Sequence, residues 1–265
     1  MTGMLKIIMS ANGMNDTGVC AFEDVEQSLL PCLAKGRLPA DAKSVIVALF
    51  PYKVPAEKGN LSMYAVVPDY HEIAGRMLTA ASNALKMAFN EYDFVWFIDN
   101  SPIPEVYAAA KSGLGMIGDN GLLINPKYGS FCFIGCIVSN LEIPPTYHGA
   151  VQHCEHCGRC RAACPGNALD GTFSKEQCLS YISQKKGELS ENEKFLLRQG
   201  GMVWGCDICQ TVCPHNQDVP YTTIPEFLDR IKPDAKPGEL ETASDRAYMY
   251  RGRSVIERNI SILDE

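Results

Sequence analysis

The chain has 265 residues, of which 46% are hydrophobic and 21% charged; this is the composition of an ordinary globular protein, not of a disordered one. No apolar run approaches the roughly 20 residues of a membrane-spanning helix, and the first residues lack the apolar core of a secretory signal, so we expect a cytoplasmic protein. The formal net charge of −7 gives no long-range attraction to phosphate backbones, which disfavours nucleic-acid binding except through a local basic patch.

The first half of the chain alternates strand-like and helix-like runs. Residues 42–50 are short, β-branched and followed by Pro51, which predicts a buried strand. Residues 69–90 predict an amphipathic helix, because apolar side chains recur there at helical spacing: Ile73, Met77, Leu78, Ala81, Leu85 and Phe89. Residues 94–98 are continuously apolar, which predicts a central strand covered on both faces. This alternation indicates an α/β (α+β) layer fold for residues 1–148.

Asp99 follows this second strand directly. Ser101 and Pro102 are suited to the N-cap and first position of a helix that would run through Ala110 and stop at Gly113. Asp99 is therefore expected at the carboxyl end of a buried strand, which is where α/β proteins place ligands. The alternative is an ordinary loop or capping aspartate.

Residues 113–118 match the letters of the dinucleotide fingerprint G-x-G-x-x-G. That fingerprint requires a strand before it and a helix after it. Here a helix precedes it, and residues 121–124 followed by Asn125-Pro126 indicate a strand and a turn. We therefore interpret these glycines as positions of tight backbone packing in a loop.

Twelve cysteines are present, and eight of them fall between residues 154 and 213. In a reducing compartment such a cluster indicates metal binding, not a disulfide framework. The other four, Cys20, Cys32, Cys132 and Cys136, are scattered in apolar surroundings and are expected to be buried, inert thiols.

The first cysteine motif has the spacing C-x₂-C-x₂-C-x₃-C-P, formed by Cys154, Cys157, Cys160, Cys164 and Pro165. Three cysteines at this spacing wrap a loop around one 4Fe–4S cluster, and the fourth ligates a second cluster. Zinc is the alternative, but it usually takes separated C-x₂-C pairs and fits this spacing poorly.

The second motif contains one cysteine fewer, and Cys178 lies upstream to supply the missing ligand. The crossover rule then assigns one cluster to Cys154, Cys157, Cys160 and Cys213, and the other to Cys164, Cys178, Cys206 and Cys209. We expect a bacterial ferredoxin-like domain with two 4Fe–4S clusters over residues 149–220, followed by a helical tail over residues 221–265.

These motifs and their surroundings resemble the epoxyqueuosine reductases, which complete queuosine biosynthesis with cobalamin and two 4Fe–4S clusters. The resemblance covers nearly the whole chain. Segments similar to the family, in family order, are residues 42–47, 64–65, 69–71, 99–102, 113–118, 120–124, 128–130, 204–214 and 258–259.

The resemblance implies a cobalamin held between the N-terminal domain and the ferredoxin-like domain, with Asp99 as the proton donor to the substrate. It also implies a cofactor pocket that includes Asp69, Tyr70, His71, Gly113, Gly115, Gly118 and Ser130. Asp69 is equally suited to a helix N-terminus, where the helix dipole favours a negative charge. The family further implies tRNA as substrate and an electron donor of the flavodoxin or ferredoxin type, with no membrane involved.

Two departures from the family bear on the substrate. Asp119 replaces a common lysine, and the chain stops soon after Arg258-Asn259, where most members continue into helical repeats that help to hold tRNA. The leading hypothesis is a cobalamin-dependent reductase of epoxyqueuosine. The alternatives are a reductase of a small molecule, related to the reductive dehalogenases, and a non-catalytic electron carrier with two clusters.

Overall fold

The computed structural model describes residues 2–265, and its internal contacts form two compact units. The first unit comprises the described chain up to Pro51 together with Tyr70–Glu155, and the second comprises Tyr52–Asp69 together with His156–Glu265. We predicted divisions at 148/149 and 220/221. The internal contacts of the structure divide the chain at 155/156. They group residues 52–69 with the cysteine-rich part, and the C-terminal tail belongs to that same unit. No described helix is both long and apolar enough to cross a membrane.

The strands, all in the first unit, are β1 (Thr17–Ala21), β2 (Ser44–Pro51), β3 (Phe94–Ile98), β4 (Met116–Ile117), β5 (Leu123–Ile124) and β6 (Cys132–Ser139). The α-helices are α1 (Thr2–Ala11), α2 (Glu23–Glu26), α3 (Met63–Val66), α4 (Tyr70–Ala88), α5 (Glu105–Lys111), α6 (Arg159–Ala163), α7 (Leu179–Gln184), α8 (Glu191–Gly200), α9 (Ile208–Thr211), α10 (Pro225–Leu228) and α11 (Arg253–Asp264). Short 3₁₀ helices cover Leu33–Arg37, Lys175–Gln177, Pro214–Asn216, Pro237–Thr242 and Ala247–Arg251.

The first unit is built on a four-stranded sheet in the order β1-β2-β6-β3, in which every pair is antiparallel. All eight residues of β2 are buried, which confirms the strand predicted at residues 42–50. Because antiparallel strands need no helical crossover, the sheet gives the α+β form of the predicted layer fold. The mixed fold class is confirmed.

Strand β3 lies at the edge of this sheet, so the prediction of a central strand at residues 94–98 is wrong. Its apolar run has another cause. Helix α4 packs along it on one face, where Gly75 allows Trp96 to approach, and Val95 and Phe97 join the apolar core on the other face. Both faces are thus covered, as expected, although one edge of the strand has no neighbour in the sheet. A strand covered on two faces is apolar whether or not both of its edges are paired.

The predicted helices are present, with one shifted start. Helix α4 confirms the amphipathic pattern of residues 69–90, since Ile73, Leu78 and Leu85 are all buried. Helix α5 begins at Glu105, later than the start predicted at Ser101-Pro102. The Ser101 hydroxyl instead accepts the N–H of Ile103 at 3.1 Å in a local turn. Such turns compete with helix capping for the same serine side chain.

The second unit is held by a small apolar core and by buried polar anchors. Helices α7, α8 and α11 pack together around Leu179, Ile182, Leu197 and other apolar residues. The buried Asn259 side chain donates to the carbonyls of Ser183 and Val203, both at 2.7 Å. An asparagine that bridges two carbonyls in this way fixes the last helix to the segment before the second cysteine motif.

Residues 52–69 are joined to this unit by backbone pairing. Leu61 forms a parallel bridge with Trp204, and the Met63 N–H donates to the Asp207 carboxylate at 2.5 Å. The buried Arg246 guanidinium donates to the carbonyl of Val66 at 3.0 Å. These contacts explain why the segment clusters with residues far away in sequence.

Helix α5 packs against strand β1, and Gly18 in the centre of β1 makes this approach close. A Cβ at Gly18 would lie 2.7 Å from the carbonyl oxygen of Ser112, which is backbone and cannot swing aside. We therefore expect Gly18→Ala to destabilise the protein by about 1–3 kcal/mol in anaerobic urea unfolding. Gly3→Ala is the matched control, because nothing lies within 4 Å of its Cβ position. Equal stability of the two variants would contradict this account of the α5–β1 packing.

Candidate functional site

Asp99 occupies an exposed position directly after β3. Its backbone φ is +57°, a left-handed conformation that is uncommon for any residue but glycine. Its side chain is 64% exposed, and its Oδ2 lies 3.3 Å from Nε2 of His71. The turn therefore presents a carboxyl group to solvent while an imidazole from α4 holds one of its oxygens.

The His71 ring is oriented by a stack of aromatic side chains. Tyr70 stacks on His71 with ring centroids 4.0 Å apart, and on Phe133 of β6 with centroids 3.9 Å apart. Tyr70 is buried, whereas the His71 side chain is 37% exposed. The imidazole thus has a fixed plane with one edge open, a suitable arrangement for holding or passing a proton.

Glu105, the first residue of α5, is a half-buried acid with its Oε1 in the interior, and the sequence did not mark it as a site residue. Burial, as the larger cause, and the negative charge of Asp99 together raise the pKa of its carboxyl to about 8. The Ser101 hydroxyl and the Asp99 backbone N–H oppose this shift of the pKa by hydrogen bonding. Its Oε1 is closed off from solvent and has no hydrogen-bond partner among the described residues. A neutral, protonated Glu105 therefore lies behind the Asp99 turn near neutral pH.

The predicted glycines are explained by packing within the first unit. A Cβ at Gly113, Gly115 or Gly118 would meet Tyr147, the carbonyl of Ile124 or the side chain of Asn120 at 2.8 Å or less. Helix α5 precedes this loop and strand β4 lies within it, so it does not have the strand-then-helix context of a dinucleotide site. A direct role of these glycines in cofactor binding stays a prediction.

The remaining predicted pocket residues lie in different places. Ser130 is buried in the turn before β6, in the same unit as Asp99 and His71. Asp69 belongs to the second unit, where its backbone N–H donates to the carbonyl of Asp245 at 2.8 Å. The structure thus brings together Asp99, His71 and Tyr70 around one turn.

Three of the four cysteines predicted for one cluster are close neighbours. Burial raises the pKa of the Cys206 thiol to about 11, and Asp207, Cys178 and Cys164 contribute to that increase. Such an influence requires that Cys178 and Cys164 each lie near Cys206. The donor set therefore fits a 4Fe–4S cluster, which takes cysteine thiolates as ligands.

The second unit contains both cysteine motifs except for Cys154. Helix α6 from the first motif packs against helix α9 from the second. Between Cys206 and Cys209, the half-buried Asp207 accepts from Met63 N–H and from the Gln210 side-chain amide. This carboxylate fixes the second motif loop, and sequence spacing gave no sign of it.

The four cysteines outside these motifs lie in the apolar part of the first unit. Cys20 and Cys136 are buried, and Cys32 and Cys132 are half-buried against the same core. Burial raises the pKa of the Cys20 thiol to about 12, and raises the pKa values of Cys132 and Cys136 well above their ordinary value. These three thiols stay protonated and are poor metal ligands or nucleophiles.

Two segments of the chain match models of known protein families. Residues 153–216 match the family model described as 4Fe-4S double cluster binding domain. Residues 36–100 match the model described as epoxyqueuosine reductase QueG, DUF1730. The second match includes β2, α4, β3 and Asp99.

Curated relatives extend the similarity over most of the chain. The chain is 34% identical over 216 residues to an epoxyqueuosine reductase of Synechocystis sp., covering 77% of this chain and 73% of that protein. It is 32% identical over 227 residues to an epoxyqueuosine reductase of Lactococcus garvieae, covering 79% of this chain and 62% of that protein. The chain thus spans less than two thirds of the length of the Lactococcus protein.

Solved structures show the same fold. The epoxyqueuosine reductase of Streptococcus thermophilus superposes with a TM-score of 0.81 at 25% identity, covering 99% of this chain and 80% of that one. An epoxyqueuosine reductase with a tRNA-Tyr epoxyqueuosine-modified stem loop gives a TM-score of 0.84 at 22% identity, with the same coverage. The fold and the paired cysteine motifs define an iron–sulfur protein of the double 4Fe–4S cluster class. Within that class, the chain belongs to the epoxyqueuosine reductase family.

The half-buried Glu105 makes the stability of the protein depend on pH. Its pKa is about 8 in the folded chain and near 4.5 in the unfolded chain, so between these values the folded state holds a proton that the unfolded state releases. Stability from this group is complete below about pH 4.5 and is lost as the pH rises through about 8. The titratable groups facing it are Asp99, His71 and Cys136, and the Cys136 thiol stays neutral.

We therefore expect Glu105→Gln to be nearly neutral at about pH 5 and to stabilise the protein by about 1–3 kcal/mol at about pH 9. Anaerobic chemical unfolding at both pH values measures this difference. Glu72→Gln, an exposed position on α4, is the matched control and should change neither value. A stability difference for Glu105→Gln that is independent of pH would contradict a buried, neutral carboxyl.

Proposed function

We propose that this chain is a reductase that uses two 4Fe–4S clusters and cobalamin to convert epoxyqueuosine to queuosine in tRNA. The observation that carries the proposal is the exposed Asp99 carboxyl, held 3.3 Å from His71 within the segment that matches the epoxyqueuosine reductase model. The same chain carries the double-cluster domain that a reductase of this kind needs. The tRNA stem-loop complex of a structural relative supports the choice of substrate.

The reaction requires protons as well as electrons. Conversion of an epoxide to an alkene consumes two electrons and two protons, and the epoxide oxygen leaves as water. Electrons reach the site through the clusters, and cobalamin, when bound, supplies a strongly reducing cobalt centre. Asp99 supplies a proton to the leaving oxygen, and general acid catalysis by a positioned side chain accelerates such steps by roughly 10²–10⁴-fold.

The surroundings of Asp99 support its role as the acid. The carboxyl is open to an incoming substrate, and His71 contacts it on one side and restores its proton from solvent. Behind the turn, the protonated Glu105 places no second negative charge next to Asp99 near neutral pH. In this arrangement one acid is exposed and reactive, and the other supports it from the interior.

Several residues of the first unit are suited to hold the corrin. His71 provides a half-exposed ring whose plane is fixed by the buried Tyr70, and Ser130 lies in the turn before β6. A large ring system with polar edges binds to such a combination of apolar and polar groups. The glycines 113, 115 and 118 contribute by keeping the loop tightly packed.

The clusters are assigned by crossover between the two motifs. We assign Cys164, Cys178, Cys206 and Cys209 to one cluster, and Cys154, Cys157, Cys160 and Cys213 to the other. The nearness of Cys164 and of Cys178 to Cys206, and the packing of α6 on α9, support this assignment. Each cluster then joins the two motifs.

Removal of Cys178 tests the assignment. We expect Cys178→Ser, prepared without oxygen, to lose about half of the roughly eight irons per chain, because one cluster loses a ligand and the other keeps all four. Iron and sulfide analysis with electron paramagnetic resonance measures this loss. Cys32→Ser, a half-buried cysteine outside the motifs, is the control and should retain full iron. Full iron in Cys178→Ser would remove this cysteine from the ligand set.

Asp99→Asn tests the proposed chemistry. Turnover of epoxyqueuosine-containing tRNA with a chemical reductant should fall at least 10²-fold, because an amide cannot donate the proton. Iron content and cobalamin affinity should be unchanged. Asp93→Asn, an exposed aspartate just before the same strand, is the control and should retain activity. Turnover retained in Asp99→Asn would remove the acid role.

Complementation of a strain that lacks epoxyqueuosine reductase tests the substrate directly, with queuosine in tRNA as the readout. Restored queuosine supports the proposal. A chain that carries both clusters and binds cobalamin but restores no queuosine would instead indicate a small-molecule reductase. A chain that does not bind cobalamin would indicate an electron carrier.

A further inference from the structure

An open groove lies beside Cys178 in the second unit. Its volume is about 410 Å³, and it is lined by Phe173, Cys178, Ser180, Tyr181, Gln184, Lys185, Lys186 and Arg251. Cys178 is the ligand that the proposed function assigns to the cluster shared with Cys164 and Cys206. The groove therefore gives the surface of the protein direct access to a cluster ligand.

The charge of the groove is opposite to that of the chain. Three of its lining residues are cationic and none is acidic, although the whole chain has a net charge of −7. Lys185 is paired with Glu193 at 2.8 Å. Lys186 is exposed and forms no ion pair within the described residues. The groove is thus a local positive region on an acidic protein.

Arg251 is positioned as an anchor of this region. Its guanidinium lies 4.6 Å from the ring centroid of Tyr250, and its Nε is buried with no hydrogen-bond partner in the described part of the chain. The Arg251 side chain also lines the groove, where a guanidinium is suited to bind an anionic group of a ligand.

Exposed aromatic side chains surround these cations. Phe173 is 56% exposed and Tyr181 is 40% exposed, and both line the groove. Protein–protein interfaces are enriched in aromatic residues and arginine relative to the rest of the surface. The combination of rings, cations and a redox ligand differs from a surface that only attracts phosphate.

We propose that this groove docks an acidic electron-transfer protein of the flavodoxin or ferredoxin type, which delivers electrons to the cluster held by Cys178. The inference rests on the proposed function and locates the entry of its electrons. In each encounter one electron leaves the reduced donor and enters the oxidised cluster, and no covalent bond changes. Two encounters supply the two electrons that reduction of one epoxide consumes.

An acidic protein fits this surface better than RNA does. Single-stranded nucleic acid is bound along an extended track of cations with several stacking platforms. Here three cations converge on one groove beside a cluster ligand. Weak redox complexes use small interfaces of this kind and depend on charge for the rate of encounter.

The test is the rate at which reduced flavodoxin reduces the clusters of the full chain, followed by the loss of cluster absorption in anaerobic stopped flow. At low salt we expect Lys186→Glu to lower the second-order rate about tenfold, and Lys186→Glu with Arg251→Glu to lower it further. Added salt should slow the wild-type reaction. Reduction by methyl viologen, which needs no docking surface, should be the same in all variants.

Lys6→Glu is the matched control, because Lys6 is exposed on α1 in the other unit and the charge changes equally. Equal flavodoxin rates for Lys6→Glu and Lys186→Glu would overturn the docking site. A second outcome would also overturn it. If Lys186→Glu binds an epoxyqueuosine stem loop more weakly while its rate of reduction by flavodoxin is unchanged, the groove binds RNA.

Failure of the proposed function has a different signature. Wild-type protein whose clusters are reduced by methyl viologen, but which then does not convert epoxyqueuosine, would overturn the proposed activity whatever the flavodoxin rates are. If the protein converts epoxyqueuosine normally with methyl viologen, but Lys186→Glu leaves the rate of reduction by flavodoxin unchanged, only the docking site is overturned.

Discussion

The second unit depends on the bonding of its cysteines, because the segment that carries them has almost no apolar interior. Between residues 156 and 178, only Ala168 and Leu169 are buried. Hydrophobic packing stabilises a chain in proportion to the apolar surface that it removes from water, and here there is little. Metal–thiolate bonds that form only in the folded state supply that stability instead, so cluster binding and folding are coupled in this unit. The half-buried Asp207 and the buried Asn259 fix loops next to the cysteine motifs.

The first unit is organised in the opposite way. Its sheet has a continuous apolar core, and the carboxyl proposed as the proton donor lies where a strand of that sheet ends. Asp99 holds a left-handed backbone conformation that costs about 1–3 kcal/mol for such a residue. The strand before it, the His71 contact and the helix after it together maintain this conformation. A rigid support for one exposed carboxyl is what a positioned proton donor requires.

Periodicity was sufficient to predict the elements with a single apolar face or a fully buried run, such as β2 and α4. It could not show that β3 lies at the edge of the sheet. The apolar composition of a strand depends on whether its two faces are covered, and not on whether both of its edges are paired. The start of α5 was misjudged because Ser101 caps a turn and not the helix. Cysteine spacing predicted the double-cluster domain that the family model over residues 153–216 supports, because the cluster geometry imposes that spacing. Glu105 gave no signal, since an acid in the first turn of a helix is commonplace.

The attachment of residues 52–69 to the second unit was also invisible in the sequence, and it affects how the protein is made. Met63 donates to Asp207, which is 144 residues later. At roughly 5–20 residues per second, the ribosome needs on the order of 7–30 s to synthesise that partner. During this interval the early segment has emerged without the residues that pair with it, while most strands of the first sheet are already available to one another. A nascent chain of this protein therefore has a defined period in which residues 52–69 lack their partners, and no single cut in the chain separates the two units.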